Sequence, residues 1–280
     1  MKRKVIFLDV DGTLVNDNGI VPKSASLAIK NARKNGHYVF LCTGRSKAEL
    51  FDHIMDIGFD GIIAAAGGYI EFENKVLMHK KVMPEDVKHL VKYFDDNNID
   101  FYLESNGGLF ASKNCKKHLN SIIFNSPDLD DRTKKELEEG MLPFINTLIE
   151  GENLIRDDIN KISFLNSSIS IEVIKEEFKD KFNVIHCTVP AFGENSGELS
   201  IPGIHKALAI ENLLNHINID KEDTLAYGDG SNDIEMLKFV QVGVAMGNAN
   251  ENLKNVADDI TDTHDNNGIY NSFKKYNLIN

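Results

Sequence analysis

The chain has 280 residues, 42% of them hydrophobic and 26% charged, enough apolar material for one large domain or two smaller ones. Its 31 basic and 43 acidic side chains leave a net charge of −12, the wrong sign for a protein that tracks a nucleic-acid backbone. Three widely spaced cysteines, Cys42, Cys115 and Cys187, make neither a disulfide framework nor a zinc cluster.

The N-terminal Met-Lys-Arg-Lys is basic, but the apolar run behind it, Val5–Leu8, stops at Asp9 and is too short for a signal-peptide core. No segment approaches the roughly 18 apolar residues that a membrane span requires. A soluble, cytoplasmic protein is therefore expected.

Val5–Leu8 is β-branched and aromatic and is closed by Asp9 and the Asp11-Gly12 turn signal, so it reads as a buried strand that delivers acids at its C-terminal end. Residues 15–21 contain Asn18-Gly19 between apolar residues, the signal for a tight hairpin. Pro22 opens a helical stretch with Leu27, Ala28, Ile29 and Ala32 apolar, ending near Gly36. Tyr38–Cys42 is a second buried strand, 46–57 a second helix and 61–66 a third strand. This rhythm predicts right-handed βαβ units and a doubly wound parallel α/β sheet.

The pattern then changes. Residues 69–82 read as a hairpin around Glu73-Asn74-Lys75, 84–97 as an amphipathic helix, and 101–111 as two strands around Asn106-Gly107. Helices are expected at 113–124, 132–139 and 171–182, with strands near 161–165 and 184–188. Without the βαβ rhythm, this region reads as an inserted α+β domain, residues 83–188, between core segments 1–82 and 189–280. Regular alternation resumes after Gly197: a helix at 205–216, a strand at 224–227, a helix at 232–239 and a strand at 242–246.

Four short stretches carry chemistry, and each falls at a strand end or helix start of the same predicted sheet. In Asp9-Val10-Asp11-Gly12-Thr13 two carboxylates can face the carboxyl edge, where open α/β sheets bind ligands. Paired there, they repel and call for a cation or a shared proton. Taken alone, the pentapeptide is also an ordinary Asp/Gly turn. Thr43-Gly44-Arg45 places a hydroxyl and backbone N–H groups at a helix entry, an anion site that in isolation is only a turn. Lys206 stands at a helix start, unfavourable with the macrodipole unless an anion is near, although a lone lysine is more often solvated. In Gly228-Asp229-Gly230-Ser231-Asn232-Asp233 two carboxylates and an amide suit a hard cation such as Mg²⁺, the competing reading being helix capping by Ser231 or Asn232. Together these supply a nucleophilic carboxylate, an acid/base carboxylate, metal ligands, a hydroxyl and a cation, the parts of phosphoryl transfer.

These motifs resemble those of the haloacid dehalogenase superfamily, and the whole chain resembles its Cof-type sugar-phosphatase branch with a large α/β cap. Asn-Asp-Ile-Glu-Met-Leu from Asn232, Val-Ala-Met-Gly-Asn-Ala from Val244, and Ala257-Asp258 leading to Gly268 add to the likeness. The resemblance implies a phosphatase of a small phosphorylated metabolite, foremost a sugar phosphate, that uses Mg²⁺ and an aspartyl phosphate. It makes Asp9 the nucleophile and a metal ligand. Asp11 becomes the acid/base group, with its backbone carbonyl on the metal. Asp229 completes the ligand set, and Asp233 supports it through water or by holding Lys206. Val10 N–H, Thr43, Gly44 N–H, Lys206 and Asn232 become the phosphate-binding groups.

The chain departs from the family in Ala66-Gly67-Gly68, where Asn-Gly is common, and in Ala207, where Gly often follows the lysine. Adjacent His186 and Cys187 would face opposite sides of a strand, His205 reads as a rim residue, and the acids 128–131 as a solvated loop. A phosphomutase or phosphotransferase would use the same intermediate. A receiver-type phospho-acceptor, the non-catalytic alternative, leaves Asp11 without a role and fits the motif order poorly.

Overall fold

A computed structural model describes residues 2–125, 141–165, 167–187 and 192–280. The helix expected at 132–139, the acids 128–131 and the end of the strand expected at 184–188 lie outside them. The chain forms two compact units, one of Met1–Arg45, Leu50–His79 and Ile204–Asn280, the other of Ser46–Glu49 and Lys80–Gly203. No helix of the described residues is long and apolar enough to cross a membrane.

In chain order the strands are β1 (Val5–Leu8), β2 (Tyr38–Cys42), β3 (Gly61–Ala64), β4 (Tyr69–Phe72), β5 (Lys75–His79), β6 (Asp100–Ser105) and β7 (Leu109–Ala111). Next come β8 (Leu148–Ile149), β9 (Ile159–Leu165), β10 (Asn183–His186), β11 (Gly197–Ser200), β12 (Thr224–Gly228), β13 (Val242–Ala245) and β14 (Asp259–Ile260).

The first unit is built on an eight-stranded sheet of order β14-β13-β12-β1-β2-β3-β4-β5. All its pairings are parallel from β14 to β3, and β4 and β5 are added antiparallel. Successive residues of β1 serve opposite faces. Ile6 and Leu8 pack with Ala28, Ile29 and Ala32 of the helix Lys23–Lys34 and with Phe273. Val5 and Phe7 pack with Ile210 and Leu213 of the helix Lys206–Ile217 and with Leu237. With helices on both sides every β1 residue is fully buried, which is why the run carries no polar alternation. This is the doubly wound α/β core expected from the sequence. Its order reverses at β1, because the chain continues to β2 on one side and returns through β12 on the other. The carboxyl ends of those three strands therefore frame a crevice.

The second unit carries a six-stranded sheet of order β10-β11-β9-β6-β7-β8. The helices Pro84–Asp96 and Ile171–Phe178 cover one face through Phe94 and Phe178, which pack near Phe101 and Phe164. The sequence reading did not separate β11 as a strand. Its burial alternates, with Leu199 inside and Glu198 and Ser200 partly exposed, and it pairs antiparallel with both β9 and β10. One-sided burial is how an antiparallel strand differs from the buried strands of the core.

Two local expectations are corrected. Residues 15–21 make the tight turn, with Gly19 N–H on the Asn16 carbonyl (2.8 Å) and Asn16 N–H on the Ile20 carbonyl (3.0 Å), but no strands flank it; the Asn16 side chain also accepts the N–H groups of Asn18 and Ile20, at 3.1 and 3.0 Å. The helix expected at 46–57 is split into a 3₁₀ turn, Lys47–Glu49, and one α-turn, Asp52–Met55, with Phe51 extended between them. The physical reason is that Ser46–Glu49 packs with the second unit and Leu50 onward with the first. Ser46 Oγ donates to the buried Glu104 (3.1 Å) and receives from Asn160 (3.3 Å), while Glu49 accepts from the Ser46 N–H (2.8 Å). Those polar ties outweigh the few tenths of a kcal/mol per residue that helix propensity supplies.

Candidate active site

Asp9 follows the last buried residue of β1 and is itself 5% exposed. Its N–H donates to the Tyr227 carbonyl (3.0 Å), which joins the edge of β1 to that of β12. The loop then turns at Gly12, whose φ of +70° and surroundings both require glycine: a Cβ there would stand 2.3 Å from an Asp229 carboxylate oxygen. Thr13 Oγ1 donates to Asp229 (3.2 Å), and Asn248 Nδ2 donates to the Gly12 carbonyl (2.7 Å).

Thr43, fully buried at the end of β2, accepts the Arg45 N–H on its hydroxyl oxygen (3.1 Å). Among the described residues the N–H groups of Val10 and Gly44 donate to no protein acceptor. Beyond β3, Ala65 and Ala66 lie in left-handed conformations with φ of 50° and 54°. Each costs about 1–2 kcal/mol. The arrangement lets Ala65 N–H reach the Arg45 carbonyl (2.7 Å) and Ala66 N–H the Thr43 carbonyl (3.1 Å). Strained backbone thus pins the Thr43–Arg45 turn.

Gly67 next packs on the start of the lysine helix, where a Cβ would lie 2.6 Å from the His205 carbonyl oxygen. Because φ is also +109° there, Gly67→Ala is expected to cost about 1–2 kcal/mol from conformation alone. Displacement of His205 adds to that. Denaturant unfolding checks it, and an unchanged midpoint would contradict the close approach.

His205 is the N-cap of the helix Lys206–Ile217; its ring nitrogen Nδ1 accepts from Leu208 N–H (3.2 Å). Lys206 is 2% exposed, and its Nζ lies 2.5 Å from one oxygen of Asp9 and 2.5 Å from one of Asp233. Burial acts to discharge the ammonium, but Asp9 and Asp233 outweigh it and hold the pKa above the ordinary lysine value. The other oxygen of Asp233 accepts the N–H groups of Asp229 and Gly230, both at 3.1 Å. One aspartate therefore shapes the loop after β12 and anchors the lysine.

One carboxylate oxygen from each of Asp9, Asp229 and Asp233 lies within 4.8 Å of the others, a set that could hold a metal ion. The charge balance fits one, since three carboxylates share a single ammonium. Burial, then the charge of Asp233, pushes Asp9 up to about 8 despite Lys206. Asp229 rises to about 6, again through burial first and Asp233 second. A cation would relieve this repulsion, and an all-oxygen carboxylate set is the chemistry hard divalent ions prefer.

The side chain of Asp11 stands outside that triad. It is largely exposed, and Arg45 grips both its oxygens: Nε donates to Oδ2 (2.9 Å) and Nη2 to Oδ1 (2.6 Å). Asn232 is exposed on the turn Ser231–Asp233. His186, set aside from the sequence, is exposed, and its ring nitrogen Nε2 lies 2.7 Å from the Glu194 carbonyl. Sequence reasoning gave no role to Arg45, Asn248 or the left-handed pair at 65–66. Arg45 had a signal, since it adjoins Thr43-Gly44; two alanines with positive φ carry none.

The sequence profile of the haloacid dehalogenase-like hydrolases matches residues 6–273. The chain is 29% identical over 280 residues to 5-amino-6-(5-phospho-D-ribitylamino)uracil phosphatase YcsE of Bacillus subtilis (strain 168), covering 98% of this chain and 96% of that one. It is 26% identical over 284 residues to phosphatase YwpJ of the same organism, covering 97% and 99%. A solved structure of a protein from Geobacillus kaustophilus HTA426 superposes with a TM-score of 0.81 at 28% identity, covering 99% of this chain and 100% of that one. A profile running from β1 to the last helix, with phosphatases as relatives along their full length, makes this chain a member of the haloacid dehalogenase-like hydrolases, of the Cof type, and a phosphatase.

Proposed function

We propose that the chain hydrolyses a small phosphorylated metabolite, foremost a sugar or sugar-alcohol phosphate, through an aspartyl phosphate on Asp9 with Mg²⁺ as the metal. The observation that carries this reading is the buried Asp9 carboxylate, bonded to Lys206 through one oxygen and grouped with Asp229 and Asp233 at the sheet's carboxyl edge. The relative YcsE, by its name a phosphatase of a phosphoribityl compound, favours the polyol phosphate class. Asp9, the Asp11 backbone carbonyl, Asp229 and Asp233 would hold the Mg²⁺. The ion supplies neutralisation of phosphoryl charge.

The protein's own groups do the remaining work. Lys206, Thr43, Asn232 and the N–H groups of Val10 and Gly44 bind the phosphoryl oxygens. Asp9 attacks phosphorus; the bond to the leaving oxygen breaks, and that oxygen takes the proton of Asp11. Water then attacks the same phosphorus and gives a proton to Asp11, and the Asp9–phosphorus bond breaks. The sum is one ester and one water consumed, one alcohol and one phosphate formed. Residues 83–188 carry none of these groups, and we assign them the selection of substrate as a cap.

A panel of phosphorylated metabolites, assayed for phosphate release with Mg²⁺ present, tests the reading. Sugar and sugar-alcohol phosphates should head the ranking by kcat/KM. Release from nucleotides or phosphopeptides alone would overturn the substrate class.

A further inference from the structure

We propose that Arg45 is the positioning residue for the Asp11 carboxylate, a role that rests on the reading of Asp11 as the acid/base group. The need for one is geometric. A general acid must stand within hydrogen-bond reach of the oxygen it protonates. The loop Asp9–Thr13 is anchored through its backbone and through Thr13, none of which orients the Asp11 side chain. That side chain is 61% exposed. Among the hydrogen bonds of the described residues, those to its two oxygens come from Arg45. A guanidinium fork on a carboxylate sets both torsions and the carboxylate plane, which a single donor cannot do.

Arg45 is suited to act as a fixed jig. Its side chain is 21% exposed. Its N–H is tied to Thr43 Oγ1 and its carbonyl to Ala65, so the fork is built on the turn that presents Thr43. The strained Ala65-Ala66 pair therefore serves two groups at once: through Thr43 the phosphoryl oxygens, and through Arg45 the acid that protonates the leaving oxygen. Guanidinium stays charged throughout the working range, and a carboxyl that carries a proton keeps an acceptor lone pair on each oxygen, so the fork can hold Asp11 both before and after it delivers its proton.

The test uses the full chain with Mg²⁺, Arg45→Ala and Arg45→Lys, and two esters. An alkyl phosphate needs its leaving oxygen protonated; p-nitrophenyl phosphate does not. With the alkyl ester, Arg45→Ala should lose about 10- to 100-fold in kcat, the scale of a misplaced catalytic group. KM should hardly move. Arg45→Lys should lose nearly as much, because an ammonium keeps the charge but makes no fork. With p-nitrophenyl phosphate both variants should keep the first burst of nitrophenol and slow afterwards, when Asp11 must take a proton from water. Added guanidinium should restore part of the alkyl-ester rate to Arg45→Ala. Arg45→Lys with a wild-type kcat, or a loss confined to KM, would overturn the proposal by making Arg45 a charge or a phosphate ligand. Turnover by Asp9→Asn would remove the aspartyl-phosphate reading and this proposal with it, so the two failures are told apart.

Discussion

Asp9→Asn should leave a folded protein that no longer turns over, with kcat lower by about four orders of magnitude or more, the scale seen when a covalent nucleophile is removed. The fold is expected to survive. The substitution is nearly isosteric, takes one of the crowded carboxylates out of the buried site and leaves Lys206 its bond to Asp233. The chemistry is not expected to survive, because an amide does not attack phosphorus and is a weak ligand for a hard cation. Two measurements check this. Phosphate release from p-nitrophenyl phosphate gives the rate, and acid-quenched reaction with labelled substrate shows whether phosphate becomes bound to protein. A folded Asp9→Asn that still forms the phosphoprotein would place the nucleophile elsewhere.

Removal of the metal should be as complete in effect. Chelation is expected to abolish turnover and Mg²⁺ to restore it, while Ca²⁺, which favours higher and looser coordination, should not substitute. The same site makes a stability prediction whose sign follows from the raised carboxyl pKa values. A group that holds its proton more tightly in the fold stabilises fully below its unfolded pKa, and that stability is lost as pH rises through its folded pKa. For the metal-free protein the loss runs upward from pH near 3.8, through about 6 for Asp229 and about 8 for Asp9. Mg²⁺ replaces the missing protons as counter-charge, so the Tm difference between the Mg²⁺-loaded and chelated protein should widen from pH 5 to pH 8. A constant or narrowing difference would mean that these carboxylates do not hold the ion.

What was legible beforehand was whatever depends on neighbours in sequence. Val5–Leu8 is apolar throughout because β1 is covered on both faces, and the first polar residue after it is Asp9 at the sheet's carboxyl edge. The same rule, a buried run that stops at a polar residue, pointed to Thr43 after β2 and Asp229 after β12. Local pattern failed where two units compete for one segment, as at 46–57, and where a tight turn closes without strands to flank it, as at 16–20.

By itself, then, the amino-acid sequence determined the doubly wound core, the strand ends at which acids and hydroxyl would be presented and the helix start that carries the lysine, because burial and turn chemistry act over a few residues. Only the tertiary structure decided how those groups are shared. Lys206 meets Asp9 across 197 residues of chain and divides its charge between Asp9 and Asp233. Arg45 reaches back 34 residues to Asp11, and two alanines adopt left-handed backbone to hold the turn between them. Burial sets the strength of a charged contact, and the folded surroundings supply what compensates backbone strain; neither exists until distant segments pack.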